Sequence, residues 1–175
     1  NAVEGTNSFF KLIKTAFKQP EYRSGYIMTM INSLALFLLA FLLVYFVHQF
    51  TTILAARAFN IPTKLYSYRI DWPLYTYSYL YSRKALIVIF GMGPLLCLLM
   101  GIGAYRLFML VRFRTVFLKS FLLWVAFHSF NLFFGAYIVG VITRTGFVYT
   151  SEWLFLSNVF DVEEIIFMIV SIIIL

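Results

Sequence analysis

The stretch FVHQFTTILAARAFNIP, residues 46–62, places polar side chains in the last turns of a long apolar run that is uninterrupted from residue 34 to residue 47. The polar residues are His48, Gln49, Thr51 and Thr52. Polar groups in hydrocarbon cost free energy unless they are paired, and interhelical hydrogen bonds there contribute only about 0.6–2 kcal/mol each. We therefore expect these side chains to pair inside a helix bundle or to serve a function.

The composition identifies an integral membrane protein. Of the 175 residues, 62% are hydrophobic and only 12% are charged, which is far from the balance of soluble domains. A helix needs about 20 apolar residues to cross the hydrocarbon core, and segments 26–56, 85–105 and 116–142 reach that length. A fourth apolar segment begins near Glu164 and is still apolar at Leu175. We expect at least four transmembrane helices, a chain that continues beyond residues 1 and 175, and a place in the bacterial inner membrane.

Three regions are predicted along the chain. Residues 1–25 form a basic amphipathic interfacial segment, residues 26–142 form a three-span core, and residues 143–175 hold a loop and the start of a fourth span. The net charge of +7 comes from basic residues spread over the loops beside the spans, which favours contact with anionic lipids and excludes nucleic acid as a partner. The predicted headgroup contacts are Arg57, Arg106, Arg112 and Arg114.

The first loop, residues 64–82, has tyrosines at every second position. They are Tyr66, Tyr68, Tyr75, Tyr77, Tyr79 and Tyr81. A period of two is typical of strands, and Pro73 biases Trp72 to extended geometry, so we predict a β-hairpin of two short strands joined at 71–73. A tyrosine-rich interfacial belt without regular strands is the alternative.

Three segments in order carry a family resemblance. After His48, Gln49 and Thr52 come AAR at 55–57 and FNIP at 59–62, then GPLL at 93–96 and FNLFFGAYIVG at 130–140. These resemble the His-Glu-x-x-His helix, its Gly-Ile/Val-Pro-like exit, the Gly-Pro-Leu-x-Asn segment and the Asn-x-x-Pro-x-x-Pro-Leu-Asp-Gly segment of the intramembrane site-2 protease family of zinc metalloproteases. The resemblance implies a three-helix core with a membrane-associated hairpin between the first two segments.

The catalytic groups that this resemblance implies are replaced. Gln49 stands in place of the general base, while Thr52 and Val139 stand in place of the second His and the Asp that bind zinc. The family's two prolines correspond to Phe134 and Tyr137, and its Asn after Gly-Pro-Leu corresponds to Cys97. We therefore predict a non-catalytic relative that binds neither zinc nor another cofactor.

His48 and His128 are the only histidines, and both lie in predicted spans. Two imidazoles on separate helices can ligate haem, and an intramembrane ionisable residue is a candidate functional residue by default. Proton or quinol chemistry and neutral imidazoles hydrogen-bonded inside the bundle are the alternatives. We expect one or two buried polar clusters built from His48, Gln49, Thr52, His128 and Asn131, with Gln49 and Asn131 as the interhelical contact.

Two classes of function follow. The first is a non-catalytic scaffold or adaptor subunit of a membrane protein complex, which grips a membrane or secreted polypeptide through Tyr66, Tyr68, Tyr75, Tyr77 and Tyr79. The second is a redox or proton-handling membrane subunit that uses His48 and His128. An active intramembrane metalloprotease with atypical ligands is a further alternative.

Overall fold

The computed structural model describes residues 20–65, 70–71, 78–111, 116–143, 146–147, 150 and 162–175. The described residues are almost entirely helical. Contacts divide the chain into Asn1–Leu38 and Leu39–Leu175, so the boundary lies inside the first helix. Residues 1–19 of the predicted amphipathic interfacial segment lie outside the described residues.

Five helices are described. They are α1 (Pro20–Ala58), α2 (Arg83–Leu110), α3 (Val116–Phe130), α4 (Ala136–Thr143) and α5 (Val162–Ile174). A π-helical turn, Asn131–Gly135, joins α3 to α4. Three helical segments are long and apolar enough to cross a membrane: Ser24–Ala58, Arg83–Leu110 and Val116–Thr143. They coincide with the first three predicted spans and are compatible with a membrane protein.

The fourth predicted span is described only as a short helix. α5 has 13 residues, and at a rise of 1.5 Å per residue it is about 20 Å long, less than the hydrocarbon core of about 30 Å. The described part of the chain therefore supports three of the four or more transmembrane helices that were predicted.

The described part of the first loop shows no evident tyrosine hairpin. Two-residue strands, β1 (Lys64–Leu65) and β2 (Ile70–Asp71), pair antiparallel with Lys64 opposite Asp71. Asp71 is thus paired in a strand where the hairpin turn was expected, and Ser78–Leu80 form a 3-10 turn instead of extended chain. This tight turn leads directly into the start of α2, where the Ser82 hydroxyl accepts a hydrogen bond from the Ala85 N–H at 3.3 Å. Tyr66, Tyr68, Tyr75 and Tyr77 lie outside the described residues.

α1 ends in a Schellman motif. The Ile61 N–H donates to the Ala56 carbonyl at 3.1 Å, and the Asn60 N–H donates to the Arg57 carbonyl at 2.9 Å. Asn60 has a φ of 57°, a left-handed conformation that Asn tolerates better than most residues. Ile61 is fully buried against Ala55 and Ala56, and Pro62 follows. The FNIP segment therefore stops the helix and turns the chain toward the first loop.

Small residues bring α1 and α2 together. One face of α1 carries residues at a spacing of four: Ala40, Val44, His48, Thr52 and Ala56. The buried face of α2 has nearly the same spacing: Ala85, Ile89, Gly93, Cys97, Gly101 and Ala104. Because most of these residues are small, side chains of α1 reach the backbone of α2, as those of His48 and Thr52 do at Gly93.

The third span completes the core. Val125 and Ala126 of α3 are buried in one cluster with Ala40, Val44 and Cys97. A Cβ atom at Gly101 would lie 3.0 Å from the Ser129 Cβ, so α2 and α3 are in close contact there. α5 packs on α4 and on the π-helical turn.

Candidate functional site

A cavity of about 260 Å³ lies between α1, α2 and the third span. Its lining residues come from four parts of the chain: His48, Thr52, Ile89, Phe90, Pro94, Leu132, Ala136, Val139, Gly140, Gly146 and Phe147. The walls are apolar except for the side chains of His48 and Thr52. The cavity therefore brings together positions 48, 52 and 139, the three that the resemblance predicted for a zinc site.

α1 presents His48 and Thr52 to the cavity one helical turn apart. The Thr52 hydroxyl donates a hydrogen bond to the His48 carbonyl at 2.9 Å, so its proton is used within the helix. The edge of the His48 ring lies against Gly93: a Cβ atom there would be 3.0 Å from His48 Nε2 and 2.6 Å from Thr52 Oγ1. Glycine at position 93 therefore makes room for both side chains.

The π-helical turn of the third span shapes the opposite wall. The Ala136 N–H donates to the carbonyls of Asn131 and Phe133, which is the wide turn of a π-bulge. Such bulges occur often at functional sites. Phe134, one of the two positions that the resemblance assigns to a proline, lies in this turn, and Leu132 within the turn and Ala136 just after it line the cavity.

Phe147 closes the cavity from the segment that follows α4. Gly146 has a φ of 64°, a left-handed turn that suits glycine. The Phe147 ring then lies 5.2 Å from the Phe133 ring and 5.5 Å from the Tyr137 ring, measured between centroids. The Thr150 side chain packs against Gly91. Phe147 was not among the candidate residues; the Gly-Phe pair at 146–147 was its only sequence signal.

The predicted polar residues do not meet at one place. His128 is buried, with its ring edge-on to Phe41 at 5.5 Å and to Phe127 at 5.4 Å, and it does not line the cavity. Asn131 differs from the expectation of a buried residue: it is exposed, and its side chain lies over Gly135 on its own helix. Gln49 is half-buried and outside the cavity lining. Of the five, only His48 and Thr52 share a site.

Some of the residues predicted to contact lipid headgroups or a partner lie in the described part of the chain. Arg57 is exposed in the last turn of α1, and Arg106 is exposed on α2. Arg112 and Arg114 lie outside the described residues. Tyr79 is 77% exposed on the 3-10 turn, where it is open to a partner.

Tyr81, the last tyrosine of the first loop, points inward. Its side chain packs against the cluster of Ala55, Ala56, Ile61, Ala85 and Ile89. Its hydroxyl is buried and has no hydrogen-bond partner among the described residues. Burial raises the pKa of Tyr81 above its ordinary value because ionisation would place a charge in this apolar setting.

Comparison with protein-family models, with curated proteins and with solved structures finds no match for this chain.

The cavity does not fit zinc. A catalytic zinc site needs three protein ligands of the His, Cys, Asp or Glu type. Within the described residues no group of three such side chains lies close enough to hold a metal ion. At the cavity only His48 is of a suitable type, since Thr52 is a hydroxyl and Val139 has no ligand atom in its side chain. Positions 48, 52 and 139 meet at the cavity, but their side chains do not supply the three ligands that zinc needs.

Proposed function

We propose that this chain is a non-catalytic integral membrane subunit that acts as a scaffold or adaptor in a membrane protein complex and has a site-2-protease-like core. The observation that carries the proposal is that His48, Thr52 and Val139 line one cavity. The outermost two, His48 and Val139, are 91 residues apart in the sequence, and a chance resemblance of short motifs would not require them to meet. Two further features support it: Asn60 adopts a left-handed turn at the exit glycine of the pattern, and the π-bulge contains Phe134, one of the two positions that correspond to its prolines.

Loss of chemistry follows from the side chains at these positions. Gln49 cannot accept a proton as the general base does, and the remaining donors do not suffice for a metal. What such a core retains is a membrane-embedded cleft and a surface loop. A polypeptide can bind to a loop of this kind through backbone hydrogen bonds that need no metal.

The first loop is the surface we propose for the partner. The β1–β2 pair is only two strands wide, so its edges have no further strand in the described part of the chain. Leu65 is 45% exposed beside it, and Tyr79 is more exposed still. An edge flanked by apolar and aromatic side chains provides both backbone pairing and amphipathic contact area. The proposed occupant is an extended segment of another membrane or secreted polypeptide.

Site-specific crosslinking tests this function. A photoreactive residue at Leu65 or Tyr79 should capture a discrete polypeptide in native membranes, while one at Leu99 or Leu110, exposed on α2, should capture mainly lipid. Pro substitution at Leu65, which removes a strand N–H, should abolish capture at Tyr79. Capture of lipid alone at all four positions would contradict partner binding by this loop.

The alternative function, a redox or proton-handling subunit that uses His48 and His128, has no comparable support. A bis-histidine haem or a shared quinol would need His48 and His128 at one site. His48 lines the cavity, whereas His128 packs against Phe41, which is seven residues and about 10 Å along α1 from His48. We therefore retain the scaffold function, in a membrane that we propose to be the bacterial inner membrane.

A further inference from the structure

The cavity holds one polar anchor, the imidazole of His48. No described residue donates to or accepts a hydrogen bond from this imidazole; the His48 side chain lines the cavity, and its Nε2 lies beside Gly93. A neutral imidazole donates from one nitrogen and accepts at the other. Thr52 adds an oxygen that can accept, because its proton is already directed to the His48 carbonyl.

The anchor lies deep in the span. His48 is ten residues before the end of α1, and Gly93 is ten residues after the start of α2. At 1.5 Å per residue both are about 15 Å from the helix ends on the first-loop side, which is near the middle of a hydrocarbon core of about 30 Å. A charged ligand is costly at this depth. The ligand that fits is uncharged.

The cavity reaches an exposed residue of the third span. Val139 lines it and is also 56% exposed on a helix long and apolar enough to cross the membrane. A ligand that arrives past Val139 therefore comes from the lipid phase. Phe90 and Phe147 contribute aromatic walls.

The volume limits what can be held. Sites for whole small molecules usually measure about 300–1,000 Å³, and this cavity measures about 260 Å³. It has room for the head group of a lipid, while a long tail would extend past Val139 into the bilayer. A water molecule needs two to four polar partners, and this cavity offers only the minimum of two polar side chains among its described walls. Such a lining favours a ligand with an apolar body and one polar atom.

We propose that this cavity binds the uncharged, carbonyl- or hydroxyl-bearing head group of a bilayer-soluble lipid, the chemical class to which isoprenoid quinones belong. The imidazole of His48 donates to the carbonyl oxygen or accepts from the hydroxyl, and the rings of Phe90 and Phe147 contact the apolar part of the head. Binding requires no change in oxidation state.

Equilibrium binding of a radiolabelled short-chain ubiquinone to the full chain in lipid nanodiscs tests the proposal. We expect saturable binding that weakens about tenfold in His48→Leu, since one hydrogen bond in a dry site contributes about that factor. His48→Gln keeps a donor and an acceptor and should recover most of the affinity. Ala136→Phe, which fills the cavity from the third span, should abolish binding, while Ile142→Phe, 72% exposed on the same helix, should not change it.

Three competing ligands decide among the outcomes. An isoprenoid hydrocarbon without a polar head should not displace the quinone; equal displacement, with no effect of His48→Leu, would show a simple acyl-chain pocket and overturn the proposal. Stronger displacement by a fatty acid would show a preference for charge and also overturn it. An isoprenoid alcohol should compete, since it offers a neutral hydroxyl. Absence of saturable quinone binding to the wild-type chain would refute the site.

Discussion

Replacing Gly93 by alanine tests the contact that holds the cavity together. The added Cβ atom would lie 2.6 Å from Thr52 Oγ1 and 3.0 Å from both Nε2 and Cδ2 of His48. Neither neighbour moves freely, because the Thr52 hydroxyl is bonded to the His48 carbonyl and the His48 ring is confined by Gly93 itself. α1 and α2 must therefore separate or the two side chains must leave their rotamers.

The expected cost can be bracketed. Overpacking a well-packed site costs about 1–3 kcal/mol, while alanine in place of a helical glycine contributes about 0.8–1 kcal/mol in the opposite direction. Gly93→Ala should thus lower the free energy of unfolding by up to about 2 kcal/mol. Gly103→Ala is the matched control on the same helix, because nothing lies within 4 Å of the Cβ atom it would add. The control should raise stability by up to about 1 kcal/mol.

Reversible unfolding in mixed micelles, followed by circular dichroism as the fraction of SDS rises, measures both variants. The sign of the effect should differ between positions 93 and 103. Equal stabilisation by both substitutions would refute the packing of His48 and Thr52 against Gly93, and with it the geometry of the cavity.

Two further predictions concern the first loop and its flanks. Asn60→Gly should preserve stability or raise it by up to about 1 kcal/mol, and Asn60→Val should lower it by about 1–2 kcal/mol, because φ at this position is left-handed. Thermal unfolding in detergent should give the two variants different midpoints. Indistinguishable midpoints would contradict the Schellman motif at the end of α1. Burial raises the pKa of Tyr81 in the folded chain. Well below pH 10 the Tyr81 hydroxyl is protonated in both the folded and the unfolded chain, and above pH 10 the unfolded chain loses this proton first. The free energy of unfolding should therefore fall as the pH rises past 10. Tyr81→Phe should remove part of that fall, measured by SDS titration from pH 8 to pH 11, whereas Tyr79→Phe, an exposed hydroxyl on the same loop, should leave it as in the wild type, and equal effects of the two would contradict burial of the Tyr81 hydroxyl.

The membrane spans could be predicted because their signal is local. Each is a continuous apolar segment whose length must match the bilayer, so segments 85–105 and 116–142 lie within α2 and the third span, with differences of a few residues at the ends. The first loop could not be predicted in the same way. Alternating tyrosines indicate strand, but Ser78–Leu80 form a 3-10 turn just before Ser82, the N-cap of α2, and the tyrosine spacing carries no signal for that turn.

The site was predicted in part for a related reason. Helical spacing places His48 and Thr52 on one face of α1, and the family resemblance supplied Val139 as the position opposite. His128 lies in α3, before the π-helical turn of the third span, and the location of Asn131 depends on the rotation of that span. Its π-helical turn changes that rotation after Phe130, and no residue pattern in the sequence marks such a bulge. Phe147 lines the cavity because the chain turns at Gly146, and local periodicity in the sequence does not predict such a turn.

Restoring the missing zinc ligands tests whether the three positions form a degenerate metal site. In Thr52→His with Val139→Asp, the native His48 and the two new side chains would surround one cavity with the ligand set of a zinc centre. We expect the double variant, purified without chelator, to retain about one zinc per chain by elemental analysis, and to lose it when His48→Ala is added. The wild-type chain should retain no stoichiometric zinc, and neither should a matched variant that combines Thr52→His with Ile142→Asp, since Ile142 does not line the cavity. Zinc content in the double variant no higher than in this matched variant would contradict the convergence of positions 48, 52 and 139.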